Sequence, residues 1–106
     1  MATYSSIHFN FTQAKSEASR LEAIADEMRR LANSNMQSSL NYLSTGWQGE
    51  SAKLYLNKGK NVKNDILAVA NDLYAVANSI RTAAKKIYDA EMEAKRLAEE
   101  IARRKQ

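Results

Sequence analysis

The chain has 106 residues, 16 of them lysine or arginine against 12 aspartate or glutamate, for a formal charge of +4. That bounds it to one domain at most, with a basic excess too mild to be a nucleic-acid footprint by itself. With no cysteine and a single histidine it has no disulfide framework, no thiol nucleophile and no His/Cys ligand set, and nothing in it calls for a metal or a cofactor.

The opening stretch MATYSSIHFNF has neither the basic leader nor the continuous apolar run of a secretory signal, and no apolar run is long enough to span a bilayer. The expectation is a protein that stays in the cytosol or leaves by a route that reads no N-terminal signal. Proline is absent and good helix formers fill most positions outside the middle, which points to an all-α fold.

The first helical pattern is Ala14, Ala18, Leu21, Ala25, Met28 and Ala32, in alternating steps of four and three, widened by Ile24 and Leu31. It predicts a helix over about residues 12–43, with Thr12 as its N-cap and Phe9 and Phe11 stapling its entry. The run NSNMQSSLN is its weakest part, because Asn and Ser side chains compete for backbone hydrogen bonds.

The turn is predicted at about residues 44–49, in LSTGWQGESA, where the one tryptophan stands between two of three glycines. Thr45 and Gln48 have the spacing of a capping box for the next helix. Gly46 frees the backbone for a reversal, Gly49 lets a ring or backbone approach, and Trp47 covers the end.

Helix two, about 46–104, carries two interleaved series with a period of seven. Tyr55, Val62, Val69, Val76, Ala83, Ala90 and Leu97 form one; Gly59, Ile66, Leu73, Ile80, Ile87, Ala94 and Ile101 form the other. Leu67, Tyr74 and Tyr88 widen the seam on one flank and Leu54, Ala68 and Ala75 on the other, more width than a two-helix contact uses. The short connection predicts an antiparallel helical hairpin, and the width asks for a third or fourth helix against a core of Leu21, Met28, Val62, Ile66, Val69, Leu73, Val76 and Ile80. At 1.5 Å per residue helix two outruns helix one, leaving a C-terminal overhang from about residue 85, held by pairs such as Glu91/Lys95, Glu99/Arg103 and Glu100/Arg104.

Catalysis finds no footing. His8 stands without a recognisable partner, no phosphate-cradling glycine loop or nucleophile–base spacing occurs, and the acidic residues read as solvated helix faces, so the chain is expected not to be an enzyme. The basic tail ARRKQ suits a helix C-terminus without any ligand. The aromatics of the chain fall mostly on the seam and not among the basic residues, which disfavours nucleic acid. Met28 belongs to the stripe and reads as core.

A helix, a turn bearing Trp47-Gln48-Gly49 and a long second helix, in a cysteine-free chain of this size, resembles the WXG family of small secreted proteins, the early secreted antigenic target type. The resemblance covers essentially the whole chain. It implies an antiparallel hairpin that dimerises into a four-helix bundle, a non-enzymatic protein made in the bacterial cytoplasm, exported by a type VII secretion system to the surface or medium, and recognised by that system's membrane ATPase. Implied partners are a second copy or a related helical protein, including a larger toxin with a helical N-terminal domain that this chain would escort. An intracellular basic adaptor for nucleic acid is the competing reading. The Tyr-X-X-X-acid pattern of many members is not met, since Met92 stands four residues after Tyr88; a looser pattern is met by Ile87, Glu91, Ala94 and Ala98. The export signal is thus expected at Ile87, Tyr88 and Glu91, together with the Trp47 and Gly49 turn.

Overall fold

The computed structural model describes residues 2–105, so Met1 and the Gln106 end of the basic tail lie outside the described residues. Helix α1 spans Tyr4–Arg30, a π-helical turn spans Leu31–Met36, α2 spans Gln37–Gly46 and α3 spans Glu50–Arg104. No strand occurs among the described residues, in agreement with the all-α expectation and the long second helix.

The start of α1 corrects the sequence reading. Thr3, not Thr12, is the cap: its Oγ1 accepts the Ser6 N–H at 3.1 Å while its own N–H donates to Ser6 Oγ at 2.9 Å, a reciprocal cap in which serine takes the place of Glu or Gln. Weak helix formers such as Tyr4, Ser5 and His8 are carried into the helix by packing, since Ile7 is 2% exposed. Phe9 and Phe11 are no staple but lie within α1, Phe9 facing solvent and Phe11 half-buried.

The chain divides into two contact units: a turn unit, Leu21–Ala75, and a terminal unit, Met1–Arg20 with Val76–Gln106. In the terminal unit the start of α1 runs antiparallel to the end of α3. Tyr4 Oη donates to Glu99 Oε2 at 3.0 Å, Phe11 stacks on Tyr88 with centroids 4.6 Å apart, and Arg81 donates to Ser19 Oγ at 3.2 Å. The expected overhang from about residue 85 is therefore partnered at least as far as Glu99, because α1 starts well before Thr12. In the turn unit, Tyr74 Oη donates to Asp26 and Lys63 Nζ to Gln37 Oε1 at 2.6 Å, again an antiparallel pairing.

The buried seam is made of small residues. Ala18, Ala25, Ala32, Ala70 and Ala77 are 0% exposed, and no large side chain among the described residues is fully buried. Alanine at seven-residue spacing lets helix backbones approach closely. The α1 stripe was legible in the sequence; Ala70, Ala77 and Ala84 on α3 were not singled out.

The π turn shifts that stripe. The Gln37 N–H reaches back to the carbonyls of Ala32 and Ser34, the first being the i to i−5 bond of π geometry. After Ala18, Ala25 and Ala32 the next buried position is Leu40 and not Ser39. The extra residue in the turn thus places leucine inside and serine outside. This is the Asn/Ser-rich stretch expected to be the weakest helix, and it remains helical by changing hydrogen-bond register.

At the break, Trp47 is extended (φ −127°, ψ 120°), with its N–H donating to the Leu43 carbonyl at 3.0 Å. The Thr45/Gln48 capping box does not form: Thr45 is the penultimate residue of α2 and its Oγ1 donates backwards to the Tyr42 carbonyl at 2.7 Å. The N-cap of α3 is Gly49, whose carbonyl accepts the Lys53 N–H at 3.1 Å, with Glu50 in the first turn where the macrodipole favours an acid. Gly49 is needed for its φ of +110°, not for a close approach, since an added Cβ would meet nothing within 4 Å. Gly49→Ala is expected to cost about 1–3 kcal/mol through backbone strain, measured by urea unfolding, while Gly46→Ala, helical and uncrowded, is expected to be neutral or slightly stabilising.

Candidate functional site

In each unit the two helices form a layer with unlike faces. Counting around α3 from the buried alanines, Leu67, Tyr74, Arg81, Tyr88 and Lys95 lie on one side and the two predicted series on the other. Ile66, Leu73 and Ile80 are half-buried at the edge of the seam, as are Leu21 and Met28 of α1. Val62, Val69 and Val76 are 50, 46 and 47% exposed, and Ile24 and Leu31 of α1 are comparably open. The expected core residues of α3 therefore share one side of that helix, and the valines are open within the single chain.

The opposite side is polar and self-satisfied. Lys15 lies over the Phe11 ring at 4.4 Å, Arg29 over Tyr74 at 5.9 Å and Lys95 over Tyr4 at 5.4 Å. Each of these rings has its own cation in the chain. The hydrogen bond to Glu99 raises the Tyr4 pKa and that to Asp26 raises the Tyr74 pKa, because ionising either phenol would set two negative oxygens together. Farther along, Arg96 bridges Glu93 at 2.7 Å and Glu100 at 3.1 Å. The hydrogen bond from Arg96, and after it the Arg96 charge, lower the Glu93 pKa. Of the three anticipated tail pairs, Glu100 with Arg104 forms at 2.7 Å, whereas Glu99 is engaged by Tyr4.

The residues expected to signal export fall in both units. Trp47 belongs to the turn unit, where its ring tilts against Tyr55 with centroids 5.3 Å apart, so the tryptophan braces the first turns of α3. Ile87, Tyr88 and Glu91 belong to the terminal unit, where they line a shallow cleft with Ile7 and Phe11. Ile87 is 58% exposed. Tyr88 is held by the Phe11 stack and by its hydroxyl 3.4 Å from His8 Nδ1, so its ring does structural work and Ile87 is the more open of the two.

Beside the π turn the layer opens into an apolar groove of about 530 Å³, lined by Leu31, Met36, Leu43, Tyr55 and Val62, with Lys58 at its lip. Periodicity alone did not reveal it, because it depends on the register shift. Among the described residues no three His, Cys, Asp or Glu side chains gather to hold a metal ion, and no helix is long and apolar enough to cross a membrane. No family model, curated protein or solved structure matches the chain.

Proposed function

We propose that this chain is a non-enzymatic interaction protein exported by a type VII secretion system. In this reading it pairs through its apolar face with a second helical chain to complete a four-helix bundle, and it offers Ile87 and Glu91 on α3 to the membrane ATPase. The observation that carries the pairing is the open row of Val62, Val69 and Val76 on a layer whose own core is alanine. Export is supported by Trp47-Gln48-Gly49 forming the break between α2 and α3, as the family resemblance implies. Cations already seated over Phe11, Tyr74 and Tyr4 leave those rings poor stacking platforms, which weakens the nucleic-acid reading.

Truncation after Ala84 would strip α1 of its partner, so point variants are the better test. The full chain, Ile87→Ala with Glu91→Ala, and Trp47→Ala are expressed in a bacterium with a type VII system, and medium and cells are blotted separately. Wild type is expected in the medium only while the ATPase is present, and the Ile87/Glu91 variant is expected to stay in the cells with unchanged helicity. Export that persists without the ATPase removes the secretion reading; export of the double variant removes Ile87 and Glu91 as the signal.

A further inference from the structure

The groove beside the π turn is shaped by the extra residue. The register shift drives Leu40 into the notch at Gly59, where an added Cβ would lie 2.5 Å from Leu40 Cδ2. Leu31, Met36 and Leu43 line the groove from one side and Tyr55 and Val62 from the other, all of them within the turn unit. Its volume of about 530 Å³ falls in the range of small-molecule clefts, about 300–1,000 Å³. It runs along the helices: Leu31 to Leu43 covers about 18 Å of helix and Tyr55 to Val62 about 10 Å.

The polar groups around it are one-sided. Asn35, Ser39 and Lys58 line the groove and no acid does, and among the described residues none of the three engages its side chain in a hydrogen bond or an ion pair. Other cations are occupied within the chain, Lys63 by Gln37 and Lys95 by the Tyr4 ring. The flanking sequence has the same bias: residues 31–49 carry no charge, and residues 51–64 carry Lys53, Lys58, Lys60 and Lys63 without an acid. We infer that the groove binds a free single-chain fatty acid, with the hydrocarbon tail along the apolar walls and the carboxylate at Lys58. An ammonium without a counter-charge selects an anion, and the neutral amide and hydroxyl beside it can donate to the same head. Aliphatic walls bury methylenes, and a groove drawn out along two helices suits a chain better than a ring. The site needs no second copy and so stands apart from the pairing proposed above. Leu31, Tyr55 and Val62 also belong to the exposed apolar face, where a bound tail would fill a gap.

Calorimetric titration of the full chain with dodecanoate, kept below its micelle concentration, tests this. Saturable binding is expected, with affinity rising about two- to fourfold per methylene from octanoate through decanoate to dodecanoate. Dodecyltrimethylammonium has the same tail and the opposite charge, and is expected to bind about tenfold more weakly or worse. Lys58→Glu is expected to raise the dodecanoate Kd about tenfold or more, whereas Lys60→Glu, the same charge change at a residue that does not line the groove, is expected to stay within about threefold of wild type. A helical chain that takes up no dodecanoate, whether light scattering finds it single or paired, overturns the inference and leaves the pairing untouched. Equal affinities for the carboxylate and the ammonium, equal effects of the two lysine variants, or capture of anionic phospholipid vesicles without uptake of free dodecanoate would each overturn it as well.

Discussion

Replacing Ala25 by leucine is expected to lower folding stability by about 1–3 kcal/mol, the signature of overpacking. Ala25 is 0% exposed in a seam where alanine is the rule. A larger side chain there has to push two backbones apart, and because the seam repeats every seven residues the displacement reaches the neighbouring alanines. For a domain of this size each kcal/mol lowers Tm by about 4–8 °C, readable by circular dichroism melting. Ala68→Leu and Ala75→Leu are the controls: both alanines are exposed, and each change is expected to stay within about 0.5 kcal/mol of wild type. Equal melting of Ala25→Leu and Ala68→Leu would refute the alanine seam.

The second large effect is expected on association. Val69→Lys with Val76→Lys places two ammonium groups on the apolar face, where each valine is nearly half exposed in the single chain, so helix content and folding are expected to hold. Pairing through that face would have to desolvate both charges without partners, at about 3 kcal/mol or more, which is a Kd at least about a hundredfold higher. Light scattering across a concentration series reads this directly. A double-lysine chain that dimerises like wild type would place the pairing surface elsewhere.

Much of the fold was legible because strong periodicity survives tertiary detail. Ala18, Ala25 and Ala32 read as an inward stripe and are one; Gly46, Trp47 and Gly49 read as the break and bracket it. What misled was the ranking of apolar residues. Two stripes of α3 repeat by seven, and hydrophobicity favours the valines and isoleucines over Ala70, Ala77 and Ala84, although the alanines face the neighbouring helix. The sequence pattern thus found the outer surface before the inner one. The start of α1 was missed because Tyr4, Ser5, Ser6 and His8 have weak helix propensity, and the contacts that hold them, Tyr4 with Glu99 and Phe11 with Tyr88, lie far along the chain. The capping box failed because Thr45 satisfies its hydroxyl within α2. For the candidate site, Ile87 and Trp47 could be named from spacing, but the groove could not, since it arises from a hydrogen-bond register that no residue pattern spells out.

The π turn makes chain length act like composition. Removing one residue from 33–36 would take out the one that the turn absorbs, so that Leu40 would follow Ala32 by seven positions and still face Gly59 through ordinary α-helical bonding. A deletion there would therefore leave the side chains of α2 facing as they do, whereas a deletion elsewhere in α1, where there is no surplus residue to lose, would turn every side chain after it by about 100°.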